Sequence, residues 1–287
     1  MMTANNLLKG MLCVIGIIIT FLVTAQPAKN YTSLEHALFF TDSVQWLSLR
    51  NKGLTEIPDE LFALHNTRYL DLGLNPIKVI SGKIENLDKL FYLDLSNSEL
   101  SQLPEEIKSL SFLRYVYLRY NKPTNLDRDF QLLAQLPNLK ALHLKIPGLE
   151  ELPESVGQLA HVEYLELSDT HIKSLPESFA ELKNLNVLYV NNDMRFDILN
   201  NIRVLARLPK LSELHLEGDQ FTKLPSTINQ LRSLEYLYLN NNRLKELPPE
   251  IQDLKKLRYI DVSNNDIPNL LLDQYRDQYA PTLRIRF

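Results

Sequence analysis

Residues 234–256 read LEYLYLNNNRLKELPPEIQDLKK, and the same spacing of leucines returns ten times between Val44 and the end of the chain. The opening LEYLYL alternates, which for a strand sends Leu237 and Leu239 to one side and Tyr236 and Tyr238 to the other. The second half, after Asn242, spaces its apolar residues as a compact turn that leads back to the next strand. A unit this short cannot offset the entropy of ordering its own backbone, so each turn needs a neighbour on either side. Self-similarity at such a period predicts a solenoid.

Aligned strand starts fall at Val44, Thr67, Leu90, Leu113, Leu139, Val162, Leu185, Leu211, Leu234 and Leu257, spaced by 23 residues except for two steps of 26. The long repeats return every third time, giving a deeper period of 72 residues. Pro137, Pro209 and Pro281 keep that spacing, as do Pro104, Pro176 and Pro248, and Tyr92, Tyr164 and Tyr236; His143 recurs as His215. Such a pattern reads as duplication of a three-repeat block.

The repeat LxxLxLxxNxL resembles the leucine-rich repeat family. Its continuation LPxxIxxL resembles the 23-residue subclass found in Ras-suppressor and Scribble-like proteins. The resemblance covers about Val44 to Phe287. It implies a right-handed curved coil of the α/β class, with a parallel sheet on the concave side and short helical or irregular segments on the convex side. The family's asparagine, which bonds to the backbone of neighbouring turns, corresponds to Asn75, Asn121, Asn242 and Asn265, with Asp193 and Asp219 as near substitutes. Lys52, Ser98, Pro147 and Thr170 depart from it. Irregular turns are expected at Pro147-Gly148 and at Ile80-Ser81-Gly82.

The expected organisation is a signal peptide over 1–25, an N-terminal capping helix segment over 26–43, ten repeats over 44–282 and a closing strand over 283–287. Ser33 to Phe40 has a helix start and an apolar stripe. In Leu283 to Phe287, Ile285 and Phe287 face inward while Arg284 and Arg286 charge the edge against further pairing. The long repeats predict extra helices on the convex side at Asp127–Leu136, Asp197–Leu208 and Leu270–Tyr279, with packing as their plain role and a second binding face as the other reading.

Lys9, the apolar run Met11–Val23 and the small-residue exit at Ala25 have the form of a secretory signal. A retained membrane anchor is the competing reading; with cleavage, no stable membrane insertion is expected. The lone Cys13 lies within that run, too early for a lipid-attachment cysteine. The remainder then has no disulfide and no thiol chemistry, which favours a bacterial export product in the periplasm, cell envelope or medium. The formal net charge of −4 becomes one unit more negative without Lys9, which argues against nucleic acid as the partner.

In the resembled family the outward strand positions make the contacts. The first outward row reads Trp46, Tyr69, Tyr92, Tyr115, Ala141, Tyr164, Val187, Glu213, Tyr236 and Tyr259. The second reads Ser48, Asp71, Asp94, Tyr117, His143, Glu166, Tyr189, His215, Tyr238 and Asp261. The candidate contact residues are Tyr92, Tyr115, Tyr117, Arg119, Tyr120, His143, Lys145, Tyr164, Glu166, Tyr189, His215, Tyr236 and Tyr238, centred on RYVYLRYNK at 114–122. Tyrosine and arginine offer large contact area with a polar tip at low ordering cost. A protein ligand is the expectation, and the structural alternative is rings that merely shield the sheet. Stacked rings beside Asp, Asn and His also suit a glycan, and a scaffold role in the envelope is a further alternative.

Catalysis finds no support in the motifs. His143 and His215 lie three strands apart, about 14 Å at the usual strand spacing, too far to share a metal. No nucleophile elbow, phosphate loop or HExxH motif occurs, so no cofactor, metal site or catalytic residue is expected.

Overall fold

The computed structural model describes residues 29–279 and 283–287. The proposed signal segment, the competing anchor and Pro281 therefore lie outside the described residues. Twelve strands form one parallel sheet in strict chain order: β1 Asn30–Tyr31, β2 Trp46–Ser48, β3 Tyr69–Asp71, β4 Tyr92–Leu100, β5 Tyr115–Tyr120, β6 Ala141–Lys145, β7 Tyr164–Ser168, β8 Val187–Tyr189, β9 Glu213–His215, β10 Tyr236–Tyr238, β11 Tyr259–Asp261 and β12 Arg284–Arg286. The coil is the curved α/β solenoid that the period implied, with this sheet on its concave side.

Register follows the repeat. Trp46 pairs with Tyr69, Tyr69 with Tyr92, Tyr92 with Tyr115, and so on to Tyr259 opposite Arg284. The inward positions form the core: Leu47, Leu70, Leu93, Leu142, Leu165, Leu188, Leu214 and Leu237 are fully buried. Behind the sheet most turns make one short 3-10 segment, as at Glu105–Ser109 and Glu177–Glu181. Gly157 is required in this layer, because a Cβ there would come within 2.4 Å of the Ser178 carbonyl oxygen on the next turn.

The chain leaves most strands through a left-handed residue five positions beyond the strand start. Asn51, Leu74, Asn97, Asp169, Asn192, Asn241 and Asn264 hold positive φ, as does Gly218. The turns after β5 and β6 break this rule. After β6 the left-handed residue is Gly148, with φ +79°, so the irregularity expected at Pro147-Gly148 is present. The one expected at Ile80-Ser81-Gly82 is not: Gly82–Asn86 is an ordinary 3-10 turn, capped by the Ser81 hydroxyl, which accepts from the Lys83 N–H.

Among the described residues four α-helices complete the fold: α1 Leu34–Leu38, α2 Leu126–Ala134, α3 Ile198–Leu205 and α4 Asn269–Tyr279. Helix α1 is capped by Ser33, buries Ala37 and leaves Phe39 and Phe40 exposed. Strand β1, ahead of it, extends the sheet by two residues that carry no repeat signature. Helix α3 starts at Asp197 as expected. Helix α2 does not start at Asp127: its cap is Asn125, whose Oδ1 accepts the Arg128 N–H at 3.0 Å.

The convex helices also satisfy the turn before them. Asp129 on α2 accepts the Leu103 N–H at 3.1 Å, Asn201 on α3 accepts that of Leu175 at 2.7 Å, and Tyr275 Oη on α4 accepts that of Leu247 at 2.9 Å. The three leucines sit 72 residues apart, so the long repeat recurs with the backbone donor it serves. Elsewhere the buried asparagines do this work. Asn75 accepts from Lys52 N and Leu54 N and donates to Leu49 O and Leu72 O; Asn242 and Asn265 act alike. Asn121, assigned to this ladder from its position, is exposed. Strand β5 runs on to Tyr120 and carries Asn121 out of the turn.

Candidate recognition face

Every strand from β2 to β11 sends at least one ring out of the concave sheet, and these rings make one unbroken file. It runs Trp46, Tyr69, Tyr92, Tyr117, His143, Tyr164, Tyr189, His215, Tyr238, Tyr259, with centroid spacings from 3.6 to 6.2 Å. The file changes rows as it goes. It uses the first outward row through Tyr92, the second at Tyr117 and His143, the first at Tyr164, the second from Tyr189 to Tyr238, and the first again at Tyr259. On β6 to β9 only one outward position carries a ring, the other being Ala141, Glu166, Val187 and Glu213 in turn, so the file takes whichever row holds the ring. A side branch, Tyr69 to Phe91 to Tyr115, lies against Ala141.

Four of these contacts are nearly coplanar stacks: Trp46–Tyr69 at 14°, Tyr117–His143 at 9°, Tyr189–His215 at 11° and His215–Tyr238 at 7°. In these four stacks the ring faces are turned to each other; the other five contacts are tilted by 33–52°. Burial above all pushes the Tyr117, Tyr164 and Tyr238 hydroxyls above the ordinary tyrosine range, helped next by Asp94 at Tyr117, Tyr189 at Tyr164 and Glu213 at Tyr238, so all remain protonated hydrogen-bond donors.

The sequence candidates divide by their surroundings. Tyr92, Tyr117, Tyr164, Tyr189, Tyr236 and Tyr238 are half-buried on this face, with Arg119, Lys145 and Glu166 beside them. Tyr115, His143 and His215 face the same way but are largely covered by adjoining rings. Tyr120 does not belong to the face. Alternation from Tyr115 turns it inward, where it is fully buried and donates to Asp129 Oδ2 at 2.8 Å. Trp46, Tyr69 and Tyr259 complete the file and were absent from the candidates, although the outward rows contain them; reading the rows separately concealed a file that crosses between them.

Charge is unevenly neutralised along the face. At one end Arg50 bridges Asp71 and Asp94 at 3.3 and 3.0 Å, and at the other Arg286 meets Asp261 at 3.4 Å. Lys145 pairs with Asp169 at 3.0 Å. His143 Nδ1 bonds Glu166 Oε2 at 2.7 Å. Burial draws the Glu166 carboxyl upward, but the hydrogen bond and charge of His143 hold it below the usual range. His215 is bonded at both nitrogens, Nε2 to Glu213 at 2.7 Å and Nδ1 to Glu217 at 3.2 Å. Burial opposes its charge, yet these two carboxylates hold its pKa above the ordinary histidine value. Among the described residues no group of three or more His, Cys, Asp or Glu is arranged to hold a metal ion, and no helix is long and apolar enough to cross a membrane.

A leucine-rich repeat model matches residues 42–100 and 209–267, and a leucine-rich repeat region model matches residues 120–214. No curated protein matches the chain by sequence. Among solved structures, the TLR13–ssRNA13 complex is similar over 85% of this chain and 36% of its own, at 23% identity and a TM-score of 0.65. The leucine-rich repeat domain of the type III effector XopL is similar over 88% of this chain and 79% of its own, at 24% identity and a TM-score of 0.52. A leucine-rich repeat protein of Leptospira interrogans covers 90% of this chain and all of its own at 22% identity, with a TM-score of 0.43.

Proposed function

Because the chain belongs to the leucine-rich repeat family, whose coils typically serve as recognition scaffolds, we propose that it is an exported, non-catalytic module that binds a protein through its concave face. The observation that carries this reading is the unbroken file of rings along the concave sheet across ten strands. A protein surface meets such a floor with backbone and side-chain hydrogen bonds and with aliphatic contact, and affinity comes from a few anchors. Sugars and bases instead stack on open ring faces, and at Trp46–Tyr69, Tyr117–His143 and Tyr189–His215–Tyr238 ring faces are already turned to a neighbouring ring. Those stacks rank a glycan below a protein, and the net negative charge argues against nucleic acid. The 23-residue subclass and a bacterial exported origin form part of the same reading, supported by the spacing and by the N-terminal apolar run.

Tyr117→Phe, Tyr236→Ala and Tyr238→Phe together strip polar tips and one ring while leaving the file continuous. Used as bait in envelope and culture extracts beside the parent, this variant should lose a protein that the parent captures, with the melting temperature little changed. A protein retained by both would move the binding surface away from the concave face; carbohydrate alone in the parent eluate would promote the glycan.

A further inference from the structure

The two histidines of the file stand 72 residues apart, at matching places of the three-repeat block, and each sits between two tyrosines: His143 stacks on Tyr117 and leans on Tyr164, and His215 stacks on both Tyr189 and Tyr238. Their edges differ. Along its own strand His215 is flanked by Glu213 and Glu217, which take both ring nitrogens. The matching neighbours of His143 are Ala141 and Lys145. Its Nδ1 is bonded to Glu166 on β7, and its Nε2 is buried without a hydrogen-bond partner. An unmet buried polar atom is unfavourable, and in the sister sandwich the same atom is met by a carboxylate.

A second observation falls in the same place. Strand β5, which pairs with β6, carries Arg119 and is preceded by Arg114. Neither guanidinium has a carboxylate partner among the described residues, whereas Arg50 and Arg286 on the same face both do. Arg114 Nε is buried and unbonded, its guanidinium lies 5.9 Å from the Tyr115 ring centre, and Arg119 reaches only the Ser98 carbonyl at 3.3 Å. Of the two, Arg114 lies on the Ala141 side of His143, beside Tyr115, whereas Arg119 pairs in register with Lys145 on the other side; one uncompensated cation and one unmet imidazole nitrogen thus fall on the same side of strands β5 and β6.

Building on the concave-face reading, we propose that this patch is a carboxylate subsite: an aspartate or glutamate side chain of the protein partner takes the place beside His143 that Glu213 takes beside His215, on the side of Tyr115 and Arg114. The Tyr115 ring rests on Ala141 and turns aside on entry; the residue corresponding to Tyr115 in the sister block is the smaller Val187. The imidazole already meets Glu166 through Nδ1, and the partner carboxylate accepts a hydrogen bond from Nε2.

The test uses the full chain, an acetyl-capped tetraglutamate peptide and its tetraglutamine counterpart, with the imidazole nitrogen resonances of His143 and His215 followed as peptide is added. Tetraglutamate should shift His143 Nε2 saturably and leave His215 in place. Arg114→Gln should weaken it by about tenfold or more, the loss of a charge-assisted bond. Tyr115→Val with Ala141→Glu, which copies the sister block, should abolish it by supplying the carboxylate internally. An unmoved His143, an equal response to tetraglutamine, or an unchanged affinity in the arginine variant would each overturn the subsite. If it falls while the hydroxyl-stripped variant above still loses its captured protein, the concave-face reading stands; if that variant keeps its protein, the reading itself falls.

Discussion

The blocks around His143 and His215 share a scaffold and differ at nearly every position that touches it. Both stack a histidine between two tyrosines over fully buried leucines, Leu142 beneath one and Leu214 beneath the other. Around His215 the surroundings are closed: two glutamates answer both nitrogens, and the neighbouring Asn191 donates to Glu217 at 2.6 Å. Around His143 the same positions carry Ala141, Lys145 and Arg119, and polar groups go unanswered. The difference extends into the turn, where Asp219 occupies the ladder position held by Pro147 in the earlier block. Duplication supplied stability through what the two copies kept, and a distinct surface through what one of them changed.

The largest test of that comparison lies in the shared layer. Leu142→Ala and Leu214→Ala should each cost about 2–5 kcal/mol by opening a cavity, and denaturant unfolding should find the two costs similar; a large disparity would mean the blocks do not share one core. Next comes Asp219. Burial, outweighing the hydrogen bonds it accepts, raises its pKa to about 8, and its Oδ2 is buried without a partner. A carboxyl whose folded pKa is raised binds more protons folded than unfolded, so stability falls as pH climbs from the unfolded value near 3.8 to about 8. Asp219→Asn, which restores the residue used at Asn75 and Asn242, should add about 2 kcal/mol at pH 8 and little at pH 4. Melting curves across that range check both the sign and the slope.

His215 gives a smaller effect of defined direction. Its folded pKa is raised, so its contribution is complete below the unfolded value of 6.5 and is lost as pH rises through the folded value. His215→Phe keeps a ring in the file and should cost about 1.5 kcal/mol at pH 5.5, with the gap to the parent narrowing at higher pH. A pH-independent gap would assign the loss to packing. Smallest of all, Lys145→Ala breaks one exposed ion pair with Asp169 and should change stability by under about 0.5 kcal/mol.

Much of this was legible in the residues. The period fixed the sheet, its order and the pairing of each outward row, because a shift of one residue would have exposed the leucines. Tyr120 could have been read correctly by carrying the alternation from Tyr115 five residues further. The service rendered by Asp129, Asn201 and Tyr275 to leucines 26 or 28 residues earlier was not legible, since it depends on where a convex helix comes to lie. The same holds for the unmet nitrogen of His143: Ala141 and Glu213 occupy matching positions, but only three-dimensional contact shows that one reaches a histidine and the other cannot. Strand β1 has two residues and no repeat, so nothing in the sequence marks it.

Trp46 begins the ring file and is the only tryptophan in the chain, stacked 4.5 Å from Tyr69. Light absorbed by Tyr69 and Tyr92 can therefore pass to the indole and emerge as its emission at the first turn. The front of the coil carries its own optical gauge: tyrosine-sensitised tryptophan emission is lost when the first turns separate, whatever happens beyond the imidazoles, which do not relay the excitation. Comparing its loss with the loss of sheet structure during unfolding would reveal whether the coil opens from its front end or parts in the middle, without attaching a label.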